Sequence, residues 1–227
     1  MSGDPNPPAR ENAKIAAIVL AAGRAARFAP RNKLLELVGG EPMVRRVVTT
    51  ALASGARPVL VVTGHEAAEI AAALCGLDIS VVPNPSYEEG LSTSLRAGLE
   101  VLPPWIDGAL ICLGDMPRVE GRVLGALIAA FAGTGAICVP VNRGRRGNPV
   151  LWGRGYFAAM MRLSGDTGAK PLLSRHEDRL IEVEVDSDSI FEDFDEPADL
   201  ARLGGMRTSP RAKRITRQSP TRHRRLP

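Results

Sequence analysis

The chain has 227 residues, 44% of them hydrophobic and 24% charged. That is enough for one α/β domain or two small ones, and too balanced for a disordered, collagen-like or disulfide-scaffold protein. No apolar run reaches the ~18 residues of a membrane helix, and the opening MSGDPNPPAREN has no apolar stretch of the signal-peptide kind. The net charge of +4 divides unevenly: residues 207–227 carry eight Lys or Arg and no acid, which leaves 21 basic against 25 acidic residues elsewhere. The main body is therefore mildly acidic, and the basic character of the chain does not argue for a nucleic-acid-binding domain. Cys75, Cys112 and Cys138 have no metal-binding or redox spacing, which points to a reduced, cytoplasmic protein.

Residues 1–13 hold three prolines and little that packs, and read as a disordered segment. From Ile15 the pattern alternates between strand and helix. The run Ile15–Leu20 is continuously apolar, as in a strand covered on both faces, and ends at a glycine loop. A helix follows over Met43–Ser54, stopped by Gly55. Then come a strand at Pro58–Thr63, an Ala-rich helix at Glu66–Leu74 and a strand at Ile79–Val82 closed by Pro83 and Pro85. Ser92 begins a helix to about Leu102 with a serine cap. A fourth buried strand spans Gly108–Leu113, a helix Val119–Phe131 and a fifth strand Ala136–Val141. There the rhythm changes: Arg143–Gly147 is a turn between antiparallel strands, because Pro149–Trp152 is again apolar. A helix near Tyr156–Leu163, a short one from Lys170, a strand at Leu180–Val185 and a last helix from Pro197 complete the order. Alternating βα units predict a Rossmann-like three-layer α/β/α domain over 14–203, with a mostly parallel sheet. The tail, 204–227, reads as disordered. It is either a contact for nucleic acid or acidic membrane, or a solvated extension, the commoner fate of charged tails.

Ligands of such sheets bind beyond the carboxyl ends of the strands. The first strand runs into LAAGRAARFAPRNKLL, where small residues let backbone N–H groups approach phosphate and Arg24, Arg27, Arg31 and Lys33 supply positive charge. The glycine spacings of a Walker loop and of a dinucleotide fingerprint are both absent, so an ordinary basic loop is an equal reading. The fourth strand ends in LGDMP. Asp115 there either caps the next turn or holds Mg²⁺ on a nucleotide. Taken together, the two strand ends favour a nucleotide site.

LAAG with Arg27 and NKLL, GLSTSLRAGL (90–99), LGDMP, GNPVL (147–151), GDTGAKPLL (165–173) and DFDEPADL (193–200) occur in that order. The set resembles the molybdenum cofactor cytidylyltransferases among the MobA-like nucleotidyltransferases. The resemblance implies transfer of CMP from CTP to molybdopterin, with Mg²⁺ and release of pyrophosphate. It implies Leu20, Ala21, Ala22 and Gly23 around base and phosphates, Arg27 and Lys33 on the triphosphate, Asp115 on the metal and Ser94 on the nucleotide. Asp195 would complete the metal site, unless the acidic run only starts the last helix. Asn148, Asp166 and Lys170 would face the acceptor. Asn148 stands where many relatives have His, which removes an acid–base role there and leaves hydrogen bonding. Ala22 points to CTP over GTP, because guanylyl-transferring relatives tend to read LAGG. Ser92 is as well explained by helix capping, and none of His65, His176 and His223 has to act. A molybdoenzyme or its maturation factor is the implied protein partner; no nucleic acid is required. The rivals are a nucleotidyltransferase for another phosphorylated acceptor and a non-catalytic carrier of molybdenum cofactor.

Overall fold

In the computed structural model, residues 13–24, 32–131 and 135–194 are described. The expectations for 1–12, for Arg27 and Arg31, and for Asp195, the last helix and the tail lie outside them. The first strand, β1 (Ile15–Ala21), is buried at every position. It lies at the middle of an eight-stranded sheet with β4 (Val59–Thr63) on one side and β6 (Gly108–Leu113) on the other, both parallel to it. Outside β4 lies β5 (Ser80–Pro83), again parallel. Outside β6 the direction reverses: β9 (Val150–Gly153) runs antiparallel to both β6 and β7 (Ile137–Asn142). The parallel strand β10 (Leu180–Glu184) closes that edge, and β8 (Arg145–Arg146) pairs antiparallel with β7. A separate two-stranded hairpin joins β2 (Leu37–Val38) to β3 (Glu41–Pro42).

Strand residues alternate between two cores, as the period of two requires. Ala17, Val19, Val59, Val61, Leu110 and Cys112 face α1 (Met43–Ala53), α2 (Ala67–Ala73) and α4 (Gly121–Phe131). Ala16, Ile18, Leu60, Val62, Ala109 and Ile111 face α3 (Leu91–Glu100), α5 (Phe157–Met160) and α6 (Lys170–Arg175). This is the three-layer α/β/α arrangement. Helix α1 shows how its sequence produces it: Met43, Val44, Val47, Val48 and Ala51 recur on one stripe, and all are buried. Trp152 and Phe131, the largest side chains almost wholly removed from water, anchor the two cores. Each contributes roughly 1.5–3 kcal/mol by burial.

Several elements differ from their sequence reading. The third helix starts at Leu91, with Gly90 at its cap position and no side-chain cap bond there, so Ser92 is not the cap. The stretch expected as a helix from Tyr156 is a 3-10 turn at Arg154–Tyr156 leading into a helix of only four residues. The fourth helix begins at Gly121, after a turn that passes through Pro117. No helix of the described residues is long and apolar enough to cross a membrane.

Helix α3 packs unusually close to the sheet at Gly98. A Cβ there would lie 2.6 Å from Ile18 Cγ2 and 3.1 Å from Val62 Cγ2, both on β-branched side chains with little freedom to move. Gly98→Ala should therefore destabilise by about 1–2 kcal/mol, the overpacking outweighing the helix propensity gained. Gly125→Ala on α4, with nothing within 4 Å of its would-be Cβ, should instead stabilise by up to about 1 kcal/mol. Urea unfolding of the two variants checks both signs. Burial pushes the Cys112 thiol up to about 12 and the Cys138 thiol up to about 11, whereas Cys75 is exposed. At pH 8 a thiol reagent should label one cysteine of the native protein rapidly, and all three after denaturation.

Candidate functional site

The site is built where β1 and β6 end side by side. Leu20 pairs with Leu113, and the Gly114 N–H donates to Leu20 O at 3.0 Å. A Cβ on Gly114 would lie 2.8 Å from that oxygen, so the glycine of LGDMP is what lets the two strand ends close. Asp115 is the next residue, and its backbone oxygen accepts the N–H of the buried Phe194 at 3.1 Å. Asn32 Oδ1 accepts the Leu34 N–H at 3.0 Å and caps a 3-10 turn over Lys33–Leu35. Leu34 is buried in the α1-side core and pins that turn. Lys33 Nζ consequently donates to Asp115 Oδ2 at 2.8 Å, with the two side chains only 12% and 22% exposed.

A cleft of about 680 Å³ opens at this point. Its charged part is mixed, Lys33 and Arg24 with Asp115, Glu88 and Asp166; Leu20, Ala22, Leu91 and Leu113 form an apolar wall. A flat base against apolar atoms and phosphates against the charges is the chemistry such a cleft can accommodate. Next to it lies a second cleft of about 340 Å³, which contains Arg146, Asn148, Lys170 and Trp152 and shares Leu20, Leu91 and Leu113 with the first. Asn148 reaches this end of the sheet because the antiparallel β9 begins opposite the end of β6, with Val150 beside Ile111. Arg146 is held from outside by Glu182 Oε1 at 2.7 Å and Glu177 Oε1 at 3.5 Å.

The GLSTS and GDTG segments are one structural unit. Gly90 adopts φ 111° and ψ 172°, a conformation open essentially to glycine alone. A Cβ on it would lie 2.6 Å from Gly165 C and 2.8 Å from Asp166 Oδ1. Asp166 Oδ1 accepts the Leu91 N–H at 3.2 Å, so the cap of α3 comes from a residue 75 positions away. Behind it, buried Asn84 bonds to the hydroxyls of Thr93 and Ser94 at 2.8 and 3.0 Å.

Leu20, Ala22, Gly23, Lys33, Ser94 and Asp115 thus line the first cleft together. Ala21 points away, into the α1-side core, because neighbouring strand residues face opposite ways. Asn148 and Lys170 line the second cleft, but Asp166, grouped with them on sequence, lines the first. Ser92 lines neither cleft; its buried hydroxyl has no partner among the described residues. Sequence reading passed over Asn84, Tyr87, Glu88 and Leu91. Their available signal was position: NPSYEEGL follows the carboxyl end of β5, the strand of which only Val82 is buried. Asp115, at the strand end beside Lys33, suits a hard cation by its oxygen chemistry, and no cluster of three possible metal ligands occurs among the described residues. A Mg²⁺ ion bound by one carboxylate and by phosphate oxygens of its own substrate needs no more.

A three-layer α/β/α sheet with a cleft at the ends of its central strands defines a Rossmann-like class of fold, in which ligands bind beyond the strands' carboxyl ends. The model of the MobA-like NTP transferase domain matches residues 17–180, and the chain belongs to that family. Among solved structures, the Rv0371c protein of Mycobacterium tuberculosis H37Rv superposes with a TM-score of 0.75 at 27% identity, covering 84% of this chain and 97% of that one. A nucleotidyl transferase from Methanothermobacter thermautotroptrophicus superposes at 0.72 and 27%, covering 84% and 95%. Rv0371c has also been crystallised in complex with manganese, and that structure superposes at 0.70 and 28%, again over 84% and 97%. Among curated proteins, the bifunctional protein GlmU of Anaeromyxobacter sp. (strain Fw109-5) is 35% identical over 137 residues, 59% of this chain and 27% of its own length. GlmU of Sorangium cellulosum is 31% identical over 147 residues, covering 62% and 31%. The chain spans less than a third of the length of these curated relatives.

Gly90→Ala should cost about 2 kcal/mol or more, because backbone strain and the contact with Gly165 and Asp166 add. Gly144→Ala, at φ 73° with open space around it, should cost only about 1 kcal/mol. Equal urea midpoints for the two variants would show that the Gly90–Gly165 approach carries no constraint.

Proposed function

We propose that the protein transfers CMP from CTP to the terminal phosphate of molybdopterin, with release of pyrophosphate. The supporting observation is the pair of clefts that share one apolar wall, the first with the Lys33–Asp115 pair and the second with Asn148 and Lys170. A donor in the first cleft and an acceptor in the second would meet across Leu20 and Leu113, which keep bulk water from competing as nucleophile. An acceptor phosphate oxygen attacks the α-phosphorus in line. The bond from α-phosphorus to the bridging oxygen breaks, and pyrophosphate leaves with the electron pair. No covalent enzyme intermediate is needed, so the work is positioning and charge neutralisation. Lys33, joined by Arg27, offsets charge on the departing pyrophosphate. Asp115 would hold Mg²⁺, which neutralises phosphate charge when bound, with Asp195 as its second carboxylate. Parting Asp115 from Lys33 would turn the carboxylate to the cation and the ammonium to phosphate. Lys170 and Asn148 orient the acceptor, the first by charge and the second by hydrogen bonding. A nucleoside triphosphate donor and three unpaired cysteines both suit the cytoplasm.

A second reading keeps the donor site and changes the acceptor to another phosphorylated small molecule. It is favoured by the two curated relatives named above, both of which are bifunctional GlmU proteins. Purified protein is incubated with CTP or GTP, Mg²⁺ and either molybdenum cofactor or a panel of sugar phosphates, while pyrophosphate and dinucleotide are followed. Turnover with CTP and molybdenum cofactor is expected, with GTP used less well because Ala22 lies in the donor cleft. Turnover only with a sugar phosphate establishes the second reading. Tight cofactor binding with no pyrophosphate from any acceptor establishes a carrier instead.

Asp115→Ala should lower turnover on the order of 100-fold or more at saturating Mg²⁺, the scale of one lost charge-stabilising contact. Lys33→Ala should weaken CTP use with every acceptor. Asn148→Ala should raise the acceptor KM several-fold and leave CTP affinity unchanged, because a neutral hydrogen bond is worth only about 0.5–1.5 kcal/mol net. If Asn148→Ala and Lys33→Ala weaken CTP binding equally, the division into donor and acceptor clefts fails.

A further inference from the structure

Ser94 is the only hydroxyl-bearing serine or threonine among the described residues lining the first cleft, and its hydrogen-bond polarity is decided by a residue outside it. Asn84, 4% exposed, sits just past β5, and its backbone N–H and both ends of its side-chain amide are all bonded. Its backbone N–H donates to Thr63 O at 2.7 Å, and its Oδ1 accepts the Ser86 N–H at 3.0 Å. The second bond fixes which end of the amide is oxygen, because a backbone N–H can only donate. The Nδ2 end therefore faces the two hydroxyls, Thr93 Oγ1 at 2.8 Å and Ser94 Oγ at 3.0 Å.

An amide nitrogen offers hydrogens and accepts none. Both hydroxyls must therefore be acceptors toward Asn84, and each keeps its own hydrogen for another partner. Thr93 gives its hydrogen back to the chain, at Gly90 O (2.8 Å) or Ser86 O (3.0 Å). Ser94 has no second partner among the described residues, and it lines the cleft. Resting on the nucleotide reading of that cleft, we infer that Asn84 is a positioning residue that commits the Ser94 hydroxyl to donate, so that the cleft selects an acceptor atom of the nucleotide at this point. A carbonyl oxygen, an unprotonated ring nitrogen or a phosphate oxygen takes the Ser94 hydrogen; an amino group could use only the oxygen's one remaining lone pair and would leave that hydrogen unmatched, so it is the poorer partner.

The test is a double-mutant cycle read by calorimetric titration of CTP, GTP, UTP and ATP with Mg²⁺ into the full chain. Ser94→Ala should weaken the best-bound nucleotide about 3–10-fold, the range of one net hydrogen bond. In Asn84→Asp an acceptor replaces the Nδ2 donor, so the Ser94 hydrogen is drawn away from the cleft. In that background, adding Ser94→Ala should change affinity less than twofold. Asn84→Ala, which brings no charge, should shrink the Ser94→Ala penalty in the same direction. A Ser94→Ala penalty of equal size in all three backgrounds overturns the inference and leaves the nucleotide reading standing. Unchanged affinity in Ser94→Ala alone overturns it too, even if neither Asn84 variant folds. If no nucleotide binds the unaltered protein, the nucleotide reading and this inference fall together.

Discussion

A single 2.8 Å bond, Lys33 Nζ to Asp115 Oδ2, joins segments 82 residues apart, and the site takes its shape from it. Withdrawing two charges this far from water is costly, and the attraction between them offsets that cost only when the geometry is well defined. The surroundings supply the definition. On one side Asn32 caps the turn and Leu34 locks it into the core; on the other, β6 carries Asp115 to a point set by its register with β1. An ion pair so placed is a weak device for stability and a good one for storing two functional groups in each other's keeping. On the proposed reading, an arriving polyphosphate would engage the ammonium and its cation the carboxylate.

The architecture was largely readable because its strands are buried on both faces. IAAIVL, VLVVT and GALICL are continuous apolar runs, and such runs tolerate little besides a covered sheet. The reversal of direction after β7 was readable as well, since a glycine-rich turn separates two apolar stretches too close in sequence for a crossover. What escaped was fixed by contacts distant in sequence. Ser92 looks like a helix cap by local rules, but Asp166 performs that role from 75 residues away. Tyr156–Leu163 has the composition of a helix, yet only Phe157–Met160 forms one.

The same distinction applies to the site. Lys33, Asp115, Ala22 and Gly23 could be singled out because strand ends and charges are local signals. The separation of Asp166 from Asn148 and Lys170 could not, because it depends on how the GDTG segment folds back against Gly90. Asn84 was hidden for another reason. Between two prolines it resembles ordinary turn punctuation, and only the bonds it makes reveal a fully satisfied buried amide.

Strand β9 carries a consequence of a different kind. In a purely parallel sheet every loop at the ligand end follows a strand and must return through a helix. Because β9 runs backward, the Arg146–Asn148 segment reaches that end by preceding its strand, inside a hairpin closed by its own short turn. The hairpin can lengthen, shorten or change residues without disturbing any crossover or the register of β1 with β6. On the proposed division of the two clefts, donor and acceptor recognition would be separable units of heredity, and a lineage could exchange one small-molecule partner for another while the nucleotide half stayed as it was.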